Sequence, residues 1–243
     1  MWQALHEEVE SLGVTVVTVA LDSVVAMAVP WIDAAPPTDR NGAHVALIDT
    51  AHVTGDLFGF VNVPMAVWID EHGTIARPAE LASVEARGPR PELPDGVPER
   101  LQRMMAEVGK LPDVGPAYRR AVLDWAEHGA ASRFALAPDE VIARSQPHDA
   151  DRARAAACFE LGHHLLATVG QDAAVPWWRE AHRLFPENFT YKRQAWTLVT
   201  TPDGAEAPDL IQGPNEVYEG NWLDDVVANG GGERYYPASE FAP

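Results

Sequence analysis

The side chains that could do chemistry in this chain are few, and most stand alone. There is one cysteine, Cys158, so the 243 residues hold no cysteine pair, and no cysteine-based zinc site can be built from them. Cys158 follows Ala155-Ala156-Ala157 and precedes Phe159, which reads as a small buried hydrophobe in an apolar helix. His163 and His164 are adjacent on that helix and point to different sides, so they cannot chelate together as an i, i+4 pair would. His44, His52 and His72 stand near Asp49 and Asp70, but no metal-ligand spacing joins them, and they read as solvated loop histidines. Among the carboxylates Asp33, Asp49 and Asp70, the last is best explained as a turn residue before Glu71-His72-Gly73. Trp177-Trp178 read as one core and one interface residue rather than a cofactor box. There is no P-loop, Rossmann glycine pattern or nucleophile elbow. Residue types alone therefore assign no catalytic residue, no metal ligand and no cofactor.

The elements that would position such residues fall into two groups. Trp2, Leu5, Val9 and Leu12 recur at helical spacing, and Gly13 follows at the helix end. The run Val14 to Leu21 is β-branched with little polar alternation, as in a strand covered on both faces. Residues 30 to 42 carry Pro30, Pro36 and Pro37 and predict loop. Val45 to Ile48 is a short apolar run ending at Asp49, and Val53 to Phe60 predicts one or two helical turns. Met65 to Asp70 is a second strand, and Thr74 to Arg77 returns across a turn as its hairpin partner. Residues 86 to 98, with four prolines and two glycines, predict a linker. Helical patterning follows over Glu99–Val108, Val114–Glu127, Asp139–Ser145, Asp151–Val169, Ala173–Leu184 and Phe189–Thr200. The tail from Thr201 is rich in Pro, Gly, Asp and Asn and predicts irregular chain, with Trp222, Tyr235, Tyr236 and Phe241 as anchors on the body.

The segment from Asp56 to Ile75 resembles a signature of thioredoxin-like proteins, of the TlpA-like thiol-disulfide oxidoreductase and alkyl hydroperoxide reductase/thiol-specific antioxidant types. The shared order is a short helix, Phe58-Gly59-Phe60, the Val63-Pro64 step, the strand Met65–Ile69, Asp70, the Gly73 turn and a second strand. Upstream, Leu12 to Asp22 and Val45 to Asp49 resemble the preceding elements of the same families. The resemblance covers about the first 85 residues. It implies that Pro64 follows a cis peptide bond and that Val63 and Pro64 line a substrate groove, offering the carbonyl and amide of the step to an extended substrate. It also implies a strand and a Cys-x-x-Cys helix start that precede everything in this sequence. That strand would lie between Val14–Leu21 and Met65–Asp70. Each buried backbone group left unpaired costs about 1–3 kcal/mol, against a total stability of about 5–15 kcal/mol. Three ways out follow: a chain starting upstream of Met1 with its redox cysteines there, a strand from the tail or another chain filling the gap, or a rearranged half-domain; the first is the expectation.

Residues 155 to 188 resemble a single tetratricopeptide repeat: Leu161, Gly162, Leu165, Ala174, Trp178, Ala181 and Pro186 fall at that family's spacing, and Cys158 stands where a large aromatic is usual. The resemblance implies two close helices and a packing or protein-binding surface.

The expected fold is thus an α/β thioredoxin-like domain, incomplete as the sequence stands, over residues 1–85, then the linker 86–98, an α-helical, tetratricopeptide-like domain over 99–200, and an irregular tail, 201–243. The expected function is a redox protein of the thiol-disulfide or peroxidase type. The alternative is a non-catalytic adaptor that binds extended peptide at Val63 and Pro64 and protein partners through the helices. A net charge of −18 disfavours sequence-independent nucleic-acid binding and anionic membrane surfaces. No apolar run is long enough to span a bilayer and the first residues are no signal peptide, so a cytoplasmic setting is expected. The scarcity of lysine, only Lys110 and Lys192, reads as the mark of a GC-rich, bacterial-type genome.

Overall fold

A computed structural model describes residues 2–33, 45–88, 94, 96–145, 148–199 and 221–241. It is a mixed α/β chain in which four short strands precede a run of helices. The first helix, α1 (Trp2–Glu10), buries Leu5 and Val9 and ends at Gly13, whose φ of +86° suits only glycine comfortably. Strand β1 (Val17–Ala20) pairs in parallel with β2 (Val45–Ile48), Val17 opposite Val45. Between them lies α2 (Val25–Asp33), whose last four residues, 30–33, fall in the stretch where proline density predicted loop. Its apolar run Val-Ala-Met-Ala-Val keeps helical geometry through Pro30, although an interior proline costs about 3 kcal/mol through its missing donor and its ring. The rest of that predicted loop, and His44, lie outside the described residues.

Asp49 starts the next helix, α3 (Val53–Phe58), by accepting from both the amide and the hydroxyl of Thr54 at 2.6 Å. Strands β3 (Met65–Ile69) and β4 (Ile75–Leu81) form an antiparallel hairpin. Asp70 closes the turn as expected, its Oδ1 accepting from the amides of His72 and Thr74. Among the described residues the two strand pairs remain two separate sheets.

Six helices follow the hairpin: α4 (Glu99–Val108), α5 (Gly115–His128), α6 (Pro138–Arg144), α7 (Ala150–Thr168), α8 (Gln171–Leu184) and α9 (Phe189–Leu198). Helices α7 and α8 form the most extensively packed pair. Gly162 permits this approach, since a Cβ there would stand 2.5 Å from the ring of the fully buried Trp178. Trp177, its neighbour, is exposed. The tail differs from the expectation of irregular chain: residues 222–228 form helix α10 (Trp222–Ala228), capped by Asn221 and followed by a 3-10 turn. Residues 200–220 lie outside the description. The expected anchors Trp222, Tyr235, Tyr236 and Phe241 are all buried.

One apolar cluster runs from Leu5 and Val9 through Trp68 and Leu81 to Tyr118, Phe159, Trp178, Tyr191 and Phe241. The α/β elements and the helices therefore share a core. Arg77 of β4 sits in it with no exposed side-chain surface. Two hydrogen bonds to Glu80, an ion pair to Glu240 at 2.7 Å and the faces of Trp68 and Phe241 hold its charge.

Candidate functional site

The Val63–Pro64 step lies at the head of β3, and its peptide bond is cis. The side chain of Val63 and the ring of Pro64 are exposed. The Val63 backbone beside them is engaged at both its amide and its carbonyl. The Val63 amide donates to Asn62 Oδ1 at 2.9 Å, and its carbonyl accepts from the hydroxyl of Tyr236 at 2.7 Å. Asn62, itself buried, donates through Nδ2 to the Tyr235 carbonyl, and the Val61 carbonyl accepts from the amide of Phe189. The carbonyl that the family resemblance leaves open to an extended substrate is thus taken by the tail of the same chain. What Val63 and Pro64 offer outward is apolar side-chain surface.

A larger group of polar residues converges where α3 meets α7 and α9. His52 precedes α3 in a left-handed conformation, φ 58° and ψ 23°, which is rare for a residue with a Cβ. It is not the solvated loop histidine the sequence suggested. It is 1% exposed, its ring is edge-on to Phe159 at 5.0 Å, and the ring of His163 lies 6.3 Å away. The loop position was legible; the burial comes from α7, more than a hundred residues on. Neither ring nitrogen of His52 has a hydrogen-bond partner among the described residues. Burial, then the proximity of His163, push its pKa down to about 4, opposed by the charge of Asp49. His163 is likewise pushed down by burial, and its Nδ1 lies 3.0 Å from the Phe159 carbonyl, while its Nε2 has no hydrogen-bond partner among the described residues. His164, next to it, faces solvent.

One turn along α3, Asp56 accepts a hydrogen bond from the hydroxyl of Tyr191 on α9. Tyr191 stacks on Phe159, ring centroids 4.1 Å apart. Burial raises the pKa of Asp56, the Tyr191 hydrogen bond and the charge of His148 pull it down, and the charges of Asp49 and Glu160 push it up, with a net rise. Asp56 opens on a cleft of about 350 Å³ lined also by Phe58, Val67, Ile75, Pro78, Ser145 and His148. Sequence reasoning missed this site. Asp56 stood inside the signature segment with no pattern marking it, and Tyr191, 135 residues away, carried no signal of its own.

Among the described residues no group of three or more His, Cys, Asp and Glu side chains could hold a metal ion. Cys158 is buried in α7. No described helix is long and apolar enough to cross a membrane.

A third feature is apolar. Of the eighteen exposed large apolar residues among those described, thirteen fall between Leu12 and Ile69. Val25, Met27, Val29 and Trp31 line α2, with Trp31 82% exposed, and Val17, Val45 and Leu47 project from β1 and β2. Single exposed apolar residues are ordinary, whereas a concentration of them marks an interaction surface. Comparison of the chain with protein-family models, with curated proteins and with solved structures finds no match in any of the three.

Proposed function

We propose that the chain is a non-catalytic, thioredoxin-like module that binds a protein partner through the apolar surface of its first 70 residues. The observation that carries this reading is the concentration of exposed apolar side chains on α2, β1, β2 and the Val63–Pro64 step. Two features support it. The sole cysteine is buried in a helix, away from any second thiol. The Val63 carbonyl is already hydrogen-bonded to the chain's own tail and the Val63 amide to Asn62, so recognition there falls to side-chain contact.

The test is site-specific photo-crosslinking in the source cells. A crosslinker at Leu47 or Val63 is expected to capture a defined partner, and Trp31→Glu to abolish that capture. The same group at Ile142, exposed on α6, serves as control. Capture equal at all three sites, or unaffected by Trp31→Glu, overturns the reading.

A second reading, a redox protein of the thiol-disulfide or peroxide type, is favoured by the element order from α1 to β4, which follows the family pattern. It requires a reactive thiolate from outside these 243 residues. Disulfide reduction by the native protein, together with a native mass above 26.5 kDa, supports it; a matching mass without that activity sinks it.

A further inference from the structure

We infer that the cleft beside Asp56 binds an organic cation carried on a short aliphatic stem, such as an alkylammonium or the side chain of a lysine. The inference stands apart from the partner surface proposed above and rests on the cleft alone.

The walls are apolar where a stem would lie: Phe58 of α3, Val67 of β3, and Ile75 and Pro78 of β4. The acidic group among the lining residues, which also include Ser145 and His148, is a carboxylate whose Oδ1 already accepts from Tyr191. Its Oδ2 has no hydrogen-bond partner among the described residues, and no lysine or arginine among them pairs with it. The neighbouring carboxylates Asp49 and Glu160 add negative charge, with His148 alone acting in the other sense. A partly desolvated carboxylate without a close ion pair is costly, and the buried cations Arg77 and Lys192 both have theirs. Arg77 has Glu80 and Glu240, and Lys192 has Asp225 at 3.6 Å and the Pro186 carbonyl. At Asp56 no lysine or arginine among the described residues plays that part. An ammonium plays it through a charge-assisted hydrogen bond to Oδ2, while Tyr191 holds Oδ1 and fixes the direction in which the free oxygen points. The cleft volume lies at the small end of ligand sites, which suits a single short chain. The net charge of −18 draws cations toward the surface.

The experiment titrates the full chain with n-butylammonium and, separately, with its neutral isostere n-butanol, following backbone amide NMR shifts. Saturable shifts are expected along Asp56–Gly59 and around Ala79, with n-butanol on the order of tenfold weaker. Asp56→Asn keeps an acceptor for Tyr191 and is expected to remove the preference for the cation. Glu71→Gln, in the exposed turn, is expected to leave it intact. Equal binding of alcohol and amine, a response outside the cleft, no saturable response, or an Asp56→Asn variant that still prefers the cation overturns the inference. A lysine-containing tripeptide with blocked ends separates the two sources. Tighter binding than the free amine assigns the cleft to a polypeptide side chain, and equal or weaker binding assigns it to a free amine.

Discussion

The two regions of this molecule treat apolar side chains in opposite ways. From Leu12 to Ile69, large apolar residues reach solvent on α2, β1 and β2, and the two strand pairs stand as separate sheets. From α4 onward, exposed large apolar residues are scattered singly, and Tyr118, Trp178, Tyr191 and Trp222 are sealed inside. A two-stranded sheet is marginal in isolation, and parallel strands usually have both faces covered. The helices therefore carry the stability of the chain, while the first region is held by its attachments to them: Trp68 donating to the Tyr118 hydroxyl, Tyr191 to Asp56, and Phe189 to Val61. On the proposed reading stability and recognition are divided between regions, and substitutions should reveal the division.

The largest expected difference is between two tryptophans. Trp178→Ala removes a fully buried ring from the α7–α8 contact and is expected to cost about 3–5 kcal/mol. Trp31→Ala, at an 82% exposed position, is expected to stay within about 0.5 kcal/mol. Denaturant midpoints of the two variants check both, and equal losses would break the comparison. Close behind is Arg77→Ala. It strands Glu80, which is held in the core beside Glu240, and removes the cation from between Trp68 and Phe241. The expected loss is about 3–5 kcal/mol, the cost of breaking a buried ion pair from one side.

Next in size is the contact of His52 with α7. Its folded pKa of about 4 lies below the ordinary histidine value of 6.5, so the native state holds the neutral ring. Above pH 6.5 both states are neutral and the group adds no pH dependence. As pH falls from 6.5 to 4 the unfolded chain takes up the proton first, and stability is lost by about 3 kcal/mol in total. Below pH 4 the folded ring titrates too and the loss from this group stops. Other groups titrate in the same window, so the quantity to measure is the difference between the chain and His52→Asn, because asparagine tolerates the left-handed backbone. Urea unfolding at several pH values should give two curves that run parallel above pH 6.5 and converge or cross below it. Curves parallel throughout would mean that His52 is not buried neutral against α7.

The same contrast explains what could be read before the structure. Elements with strong local periodicity were legible: Glu99–Val108 coincides with α4, and the Asp70 turn and the strand before it lie where expected. Apolar runs and turn residues act within a few positions. The end of helix α2 was lost because proline is read as a breaker, yet an apolar segment can continue through one. The cap of α10 by Asn221 was obscured by the glycine-rich composition around it. The candidate site was illegible for a different reason. Asp56 with Tyr191, His52 with Phe159, and Val63 with Tyr236 are contacts across more than a hundred residues, and each residue looks ordinary in its own neighbourhood. The left-handed φ of His52 has no sequence signal, since nothing beside it suggests a turn that glycine or asparagine would fill.

The smallest effect is the most informative about how the two regions meet. Tyr236→Phe deletes one hydroxyl and leaves the ring packed beside Tyr235. It frees the Val63 carbonyl, so the expected loss of stability is about 1 kcal/mol. Because the bond joins the tail to the head of β3, the change should be local as well as small. Asn62 still holds the Tyr235 carbonyl, and Ala82 still donates to Pro64. Amide exchange is therefore expected to quicken at Met65 and Ala82 while the α7–α8 amides keep their protection. If the helical amides loosened equally, the tail would be part of the helical core's cooperative unit, and the division between a stable region and a recognising one would fail at its seam. If exchange quickened only beside β3, the tail would act as a clasp on the Val63–Pro64 step, and contact with a partner there would depend on whether that clasp is closed.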